Sequence, residues 1–120
     1  MKKILLCVLT LTAVVSFAGN ASAETVVATV TAYNTLEAQT DDTPCIAASG
    51  DNICGRRDVV ACPSRIPLGT WVVINEERYE CLDRTARKYD GRFDISFDKD
   101  VQAALEWGKP HLEVTILWDS

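Results

Sequence analysis

The sequence offers few of the side chains on which common enzymes depend. It has a single histidine, His111, no Gly-x-Ser-x-Gly nucleophile elbow and no glycine-rich loop of the kind that cradles phosphates. None of its cysteines forms a Cys-x-x-Cys pair, and the chain contains no internal repeat or low-complexity segment. These absences argue against Ser-His hydrolases, P-loop nucleotide enzymes and zinc knuckles. If the chain is an enzyme, its acid and its base must be carboxylates.

The first residues have the pattern of a secretory signal peptide. Lys2 and Lys3 precede the apolar run "ILLCVLTLTAVVSFA", and the small residues "ASA" follow it. An uncleaved membrane anchor is the alternative, but the run is short and no stop-transfer flank follows. We therefore predict a signal peptide over residues 1–23, cleavage after Ala23, and a secreted or periplasmic domain over residues 24–120.

The predicted mature chain is small and acidic. It has 97 residues, with ten basic and 17 acidic side chains, and a net charge of −7. This balance argues against a nucleic-acid partner and against attraction to anionic membranes. No later segment is long and apolar enough for stable membrane insertion. We expect one domain and a monomer.

Four cysteines remain after the signal peptide, which is an even number in an exported chain: Cys45, Cys54, Cys62 and Cys81. Two disulfides are therefore predicted, although composition alone leaves three pairings open. A zinc site is the rival interpretation. The intervals of nine, eight and nineteen residues and the single histidine disfavour it. No metal and no cofactor are expected.

Alternating apolar residues predict about six short strands. One convincing helix is predicted over residues 98–108, with Asp98 as its N-cap and Gly108 at its end. Residues 34–57 lose the alternation and read as a long loop. Short strands separated by turns are typical of an all-β barrel. The predicted strands cover residues 25–33, 58–62, 71–75, 78–83, 92–97 and 111–118.

Four carboxylates lie in the stretch "CLDRTARKYDGRFDISFD". A turn explains Asp90 and the helix cap explains Asp98. Asp83, which alternation places on one strand face with Tyr79 and Cys81, and Asp94, which points away from the core, are the candidates for acid–base chemistry. Carboxylate pairs of this kind indicate glycosidic bond cleavage. The plainer interpretation of Asp94 is a strand residue paired with a neighbouring cation, Arg92 or Lys99.

The order of the segments adds a resemblance. "VTAY", "ASG", "VVACPSRIPLGTWVVI", "YECLDRTARKYDGRFDISF" and "AALEWGKPHLEVTIL" together resemble the three-aspartate (3D) domain of bacterial muralytic proteins, including the lytic transglycosylase A family and secreted stationary-phase proteins. The resemblance extends from about Thr29 to Leu117. It implies a six-stranded double-psi β-barrel with one short helix and two disulfides, related in shape to expansins and family-45 endoglucanases, with a saccharide groove.

The resemblance also implies roles for individual residues. Asp94 falls on the general acid and base that cleaves the bond between N-acetylmuramic acid and N-acetylglucosamine, and Asp83 falls on the assisting aspartate. Cys62 occupies the position of the family's first aspartate. If that position lies beside Asp83, Cys81 becomes the partner of Cys62. Such a disulfide would stiffen the groove floor and leave Cys45 to pair with Cys54.

The chain departs from the family between its two aspartates. The family has a Gly-Gly pair where this chain reads "RTARK", residues 84–88, a basic cluster that contacts an anionic substrate or is simply a solvated loop. The expected partner is peptidoglycan or another cell-wall glycan. Aromatic residues such as Tyr33 belong to the core unless they stack on sugars. The predicted substrate-binding residues are Tyr33, Ser49, Arg84, Lys88 and Arg92.

Three functions follow from these observations. The first is an exported peptidoglycan-cleaving enzyme of the lytic transglycosylase type. The second is a non-catalytic cell-wall or carbohydrate-binding module of expansin-like type. The third is a small secreted effector or inhibitor that keeps the barrel for stability alone.

Overall fold

The computed structural model describes residues 22–120, so nearly all of the predicted signal peptide lies outside the described residues. The described part is mostly strand, with one short α-helix and a 3₁₀ turn at Arg87–Tyr89. None of its helices is long and apolar enough to cross a membrane. The elements are β1 (Ala23–Tyr33), β2 (Val59–Cys62), β3 (Trp71–Ile74), β4 (Glu77–Arg84), β5 (Phe93–Ser96), α1 (Val101–Trp107) and β6 (His111–Leu117).

The six strands close into a barrel in the order β1-β5-β2-β4-β3-β6. Two neighbouring pairs are parallel, β1 with β5 and β2 with β4, and the remaining pairs are antiparallel. The predicted all-β barrel with one short helix is therefore confirmed. A closed barrel leaves no exposed sheet edge, which suits a small exported domain.

The barrel interior is filled by alternate residues of the strands. On β1 the predicted apolar face packs inward, with Val30 fully buried and Val26, Ala28 and Ala32 packed against the core. On β5 the alternation also holds, because Phe93 and Ile95 are buried while Asp94 between them faces the other way. The outward position of Asp94 is thus confirmed.

A second, smaller cluster lies on the outer face of the barrel. The loop between β1 and β2 folds back over this face, and its apolar side chains meet outward-facing strand residues. The cluster consists of Tyr33, Ala47, Ile53, Val59, Ala61 and Leu82. The loop is therefore packed against the barrel. It covers part of the outer face and borders the part that stays exposed.

A register shift between β2 and β4 corrects one prediction. Val60 pairs with Cys81, but the next residue, Ala61, pairs with Asp83, so Leu82 is an extra residue in β4. Val60 and Cys81 belong to the interior core, whereas Ala61 and Leu82 belong to the outer cluster. Cys81 and Asp83 were predicted to share a strand face. The bulge places Asp83 with Ala61 on the outer side instead.

The two disulfides join Cys45 to Cys54 and Cys62 to Cys81, as the family resemblance implied. Their surroundings differ. Cys62 and Cys81 are fully buried in the interior core. The disulfide does not itself line the outer face, because the adjacent Ala61, not Cys62, faces outward, but it links β2 to β4 beneath that face. The Cys45–Cys54 disulfide is half-buried and closes the tip of the β1–β2 loop.

The helix begins two residues later than predicted. Its N-cap is Asp100, whose carboxylate accepts a hydrogen bond from the backbone N–H of Ala103. Asp98, the predicted cap, instead accepts a hydrogen bond of 2.8 Å from the Thr35 hydroxyl and tethers the β1–β2 loop. At the other end, the Trp107 indole donates to the carbonyl of Val30 and fixes α1 to β1.

Candidate functional site

One cleft lies on the outer face of the barrel, with a volume of about 850 Å³. Its floor comes from the neighbouring ends of β1, β5, β2 and β4. One wall comes from the β1–β2 loop, and the other is the segment that follows β4. The loop residues that line the cleft are Gln39, Thr40, Asp41, Thr43, Pro44, Ile46, Ala47 and Ala48. Both candidate acids, Asp83 and Asp94, line this cleft.

The strand register brings these two acids to opposite sides of one small residue. Ala61 on the central strand β2 pairs with Asp94 of β5 on one side and with Asp83 of β4 on the other. Neighbouring strands lie about 4.8 Å apart, so the two aspartate Cα atoms are separated by roughly 10 Å. Ala61 lines the cleft between these two residues.

Asp94 is half-buried in the cleft. Its Oδ1 accepts a hydrogen bond of 2.8 Å from the Thr31 hydroxyl, and Thr31 is its register partner on β1. Burial raises the pKa of Asp94 to about 6. The Thr31 hydrogen bond and the charge of Arg92 oppose this rise, while the negative charge of Asp83 adds to it.

Asp83 is surrounded by donors instead. Its Oδ2 accepts a hydrogen bond of 3.0 Å from the Tyr33 hydroxyl, and its Oδ1 accepts from the backbone N–H groups of Ala48 and Arg84, each at 3.0 Å. Burial, and then the charge of Asp83, raises the pKa of Tyr33, which keeps its hydroxyl protonated as a donor. The bond from Ala48 also ties the β1–β2 loop to the cleft.

The pair can therefore divide two roles between them. Asp94 retains its proton at a pH where an ordinary aspartate is ionised, and Asp83 is held in place by three accepted hydrogen bonds. Two carboxyl groups with different environments are the usual basis for acid and base assignments in a cleft. This arrangement suits proton transfer to a leaving oxygen near neutral pH.

The cleft gathers three of the five predicted substrate-binding residues, Tyr33, Arg84 and Arg92. Arg84 is already engaged, since its Nη1 donates to the carbonyls of Pro63 and Ile66 and so fixes the segment after β2. Arg92 lies across the face of the Tyr89 ring, 4.2 Å from its centroid.

The other two predicted residues, Ser49 and Lys88, are not among the residues that line the cleft. The Ser49 hydroxyl bonds the carboxylate of Asp51 in the β1–β2 loop. The Lys88 ammonium lies 5.0 Å from the centroid of the Tyr89 ring. The basic cluster of residues 84–88 thus divides into Arg84, which braces the cleft, and cations outside it.

Thr31, Tyr89 and Lys109 are among the cleft residues that sequence reasoning missed. Thr31 stands in the "VTAY" motif, and the alternation of β1 already placed it on the outward face. The alternation within β1 does not predict that β5, with Asp94, lies beside Thr31. Tyr89 and Lys109 come from the turn before β5 and from the link after α1, where no periodic pattern predicts direction.

Asp90 braces the far wall of the cleft. Its two carboxylate oxygens accept hydrogen bonds of 2.7 Å from the backbone N–H and the hydroxyl of Ser64. These bonds hold the pKa of Asp90 below its ordinary value. Asp90 therefore joins the turn before β5 to the segment after β2, which gives it a structural task beyond the turn predicted for it.

Within residues 22–120, no group of three or more metal-ligating side chains comes together. No family model, no curated protein and no solved structure matches the chain.

Proposed function

We propose that this protein cleaves a glycosidic bond of peptidoglycan as an exported enzyme of the lytic transglycosylase type, related to the 3D-domain proteins. The observation that carries the proposal is a single carboxyl group. Asp94 lies in an open cleft with a pKa raised to about 6, and Asp83 lies across Ala61 from it. That is the environment a general acid for glycoside cleavage requires.

The first chemical step assigned to Asp94 is protonation of the leaving group. The protonated carboxyl donates its proton to the glycosidic oxygen between N-acetylmuramic acid and N-acetylglucosamine. The bond from C1 of the muramic residue to that oxygen breaks, and positive charge develops on the muramic ring. The carboxylate of Asp83, held by Tyr33, Ala48 and Arg84, contributes negative charge to the same cleft.

The second step returns the proton to Asp94. Its carboxylate, now ionised, takes the proton from the muramic 6-hydroxyl, whose oxygen attacks C1 and closes a 1,6-anhydro ring. No water is consumed, and the carboxyl group is regenerated for the next cycle. The Thr31 hydroxyl holds Oδ1 of Asp94 throughout, so the carboxyl group keeps one orientation toward the substrate in both steps.

The proposal includes double-psi connectivity for the barrel. Its support is the closed six-stranded order with two parallel pairs, β1 with β5 and β2 with β4. Parallel neighbours require crossover connections rather than hairpins. The β1–β2 loop and the segment after β4 belong to such connections, and they form the two walls of the cleft.

An exported location also belongs to the proposal. The two disulfides are compatible with an extracellular or periplasmic compartment, where such bonds form and persist. The signal peptide predicted over residues 1–23 would take the chain there.

Digestion of purified sacculi tests the proposed reaction. We expect the protein to release soluble anhydromuramyl fragments, which mass spectrometry identifies as one water lighter than the hydrolysed products. Asp94→Asn should abolish the release because it removes the transferable proton. Asp42→Asn, which changes an exposed aspartate outside the cleft, is the matched control and should release fragments like the native protein. Reducing ends without the anhydro ring would mean that water is the nucleophile.

A second candidate is a non-catalytic cell-wall-binding module on the same barrel. One observation favours it: the position of the family's first aspartate, Cys62, is buried in a core disulfide, so no third carboxylate comes from that position. The sacculus experiment separates the two candidates. Protein that pellets with sacculi but releases no fragments is a binding module.

A further inference from the structure

Arg92 is the arginine of the cleft whose donors are unused. The other one, Arg84, gives its Nη1 to two backbone carbonyls. The guanidinium of Arg92 is half-buried and, among residues 22–120, has neither a hydrogen-bond acceptor nor a carboxylate within salt-bridge distance. A guanidinium with free donors inside a cleft is available to an acidic partner.

The orientation of Arg92 is fixed before any ligand arrives. Its guanidinium carbon lies 4.2 Å from the centroid of the Tyr89 ring, which holds the planar group against an aromatic face. Tyr89 in turn belongs to the 3₁₀ turn that Asp90 fastens to Ser64. Because the side chain is already ordered by this stack, little conformational entropy remains to be lost on binding.

The neighbourhood of Arg92 places its ligand close to the reacting bond. Arg92 immediately precedes β5 and lies two residues before Asp94, and its charge lowers the pKa of that carboxyl. Asp94 does not neutralise it, because its Oδ1 is taken by Thr31 and no ion pair joins the two side chains. Lys109, exposed at the cleft, adds a second positive charge.

We propose that Arg92, held on the face of Tyr89, binds a carboxylate carried by the glycan substrate next to the bond that Asp94 cleaves, with Lys109 as a second cation. The cleft then selects acidic over neutral glycans of the same length. This inference rests on the proposed function and specifies its substrate class. Two sources can supply the carboxylate in peptidoglycan: the lactyl ether of the muramic residue and the peptide stem.

Calorimetric titration of the Asp94→Asn protein at fixed pH tests the inference without turnover. Three probes are used: neutral chitotetraose, glycan strands stripped of their stems, which expose the lactyl carboxylate, and strands that keep their stems. We expect an acidic strand to bind about tenfold more tightly than chitotetraose, the gain typical of a charge-assisted hydrogen-bonded pair. The lactyl group is the source if stripped strands bind tightly, and the stem is the source if only stem-bearing strands do.

The variants make the test specific to Arg92. Adding Arg92→Gln should remove the tenfold preference for acidic strands over chitotetraose, and Arg92→Lys should keep part of it. Arg78→Gln is the matched control, because Arg78 also stacks on an aromatic ring, that of Trp71, but lies outside the cleft.

The inference is overturned if acidic and neutral probes bind equally, or if Arg92→Gln keeps the full preference. In either case the proposed function still stands when native protein releases anhydromuramyl fragments from sacculi. If no probe binds and no fragment is released, the proposed function and this inference fail together.

Discussion

The hydroxyl of Thr31 donates a hydrogen bond of 2.8 Å to Oδ1 of Asp94. Because this bond favours the ionised carboxylate, removing it with Thr31→Val should raise the pKa of Asp94 further. We expect the alkaline limb of the pH–rate profile for fragment release to move to higher pH by roughly half a unit to one unit.

Thr29→Val is the control for that experiment. Thr29 lies on the same face of β1, two residues away, and its hydroxyl bonds His111 rather than a cleft carboxylate. Its pH profile should coincide with that of the native protein. An unshifted limb in Thr31→Val would show that the hydroxyl has no influence on the catalytic acid.

Asp83→Asn should move the same limb in the opposite direction. The negative charge of Asp83 raises the pKa of Asp94, so its loss lets Asp94 ionise at lower pH. The asparagine oxygen can still accept from the backbone N–H groups of Ala48 and Arg84, so the loop stays in place. We expect lower fragment release at pH 7, measured with Asp42→Asn in parallel. A limb shifted upward would contradict the assigned interaction between the two acids.

Asp94→Asn should stabilise the protein at neutral pH while abolishing activity. The folded pKa of about 6 lies above the ordinary aspartate value of 3.8, so folding favours the protonated carboxyl. That stabilisation is present below about pH 4 and is lost as the pH rises through 6. An asparagine does not ionise, so the variant does not lose this stability at high pH. At pH 8 its free energy of unfolding should exceed that of the native protein by on the order of 2 kcal/mol.

Urea denaturation at several pH values measures this gain, which should vanish near pH 4. Asp90→Asn provides a control of opposite sign, because hydrogen bonds from Ser64 lower the pKa of Asp90. The stabilisation from Asp90 is present at neutral pH and lost as the pH falls through its lowered folded pKa, so this variant should be less stable than native protein at pH 8. Equal effects of both variants at all pH values would contradict the burial of Asp94.

Mild reduction should open one disulfide before the other. Cys62 and Cys81 are inaccessible in the core, whereas Cys45 and Cys54 are half-buried. Opening the Cys45–Cys54 bond loosens the β1–β2 loop, which forms one wall of the cleft. For a disulfide that closes a loop of this length, the free energy of unfolding should fall by about 3 kcal/mol. We expect alkylation and mass spectrometry to find modified Cys45 and Cys54 first, together with weaker glycan binding. Simultaneous modification of all four cysteines would contradict this order.

Much of the barrel could be predicted because its strands alternate cleanly. The interior residues of β1, β5 and β6 follow a period of two, and that pattern alone placed Asp94 on the outer face. The β-bulge could not be read in the same way. The only sign of the bulge in the sequence is that two successive apolar residues, Cys81 and Leu82, break the alternation just before Asp83. The prediction therefore placed Asp83 on the same strand face as Cys81.

The walls of the cleft depended on contacts between distant segments. Asp98 and Asp100 are equally good N-caps by residue type. Asp98 is not the cap because it accepts a hydrogen bond from Thr35, which lies more than sixty residues away in the chain. Arg84 belongs to a basic run, and only the fold brings the carbonyls of Pro63 and Ile66 to its side chain. Local pattern cannot predict such pairings.

The central claim is that the cleft holds a carboxylic acid that stays protonated close to neutral pH. Carboxyl ¹³C NMR of the native protein, with Asp94 assigned by comparison with Asp94→Asn, measures this directly. We expect a titration midpoint for Asp94 near 6, moving lower in Asp83→Asn and higher in Thr31→Val. A midpoint at or below the ordinary aspartate value, unmoved by either change, would contradict it.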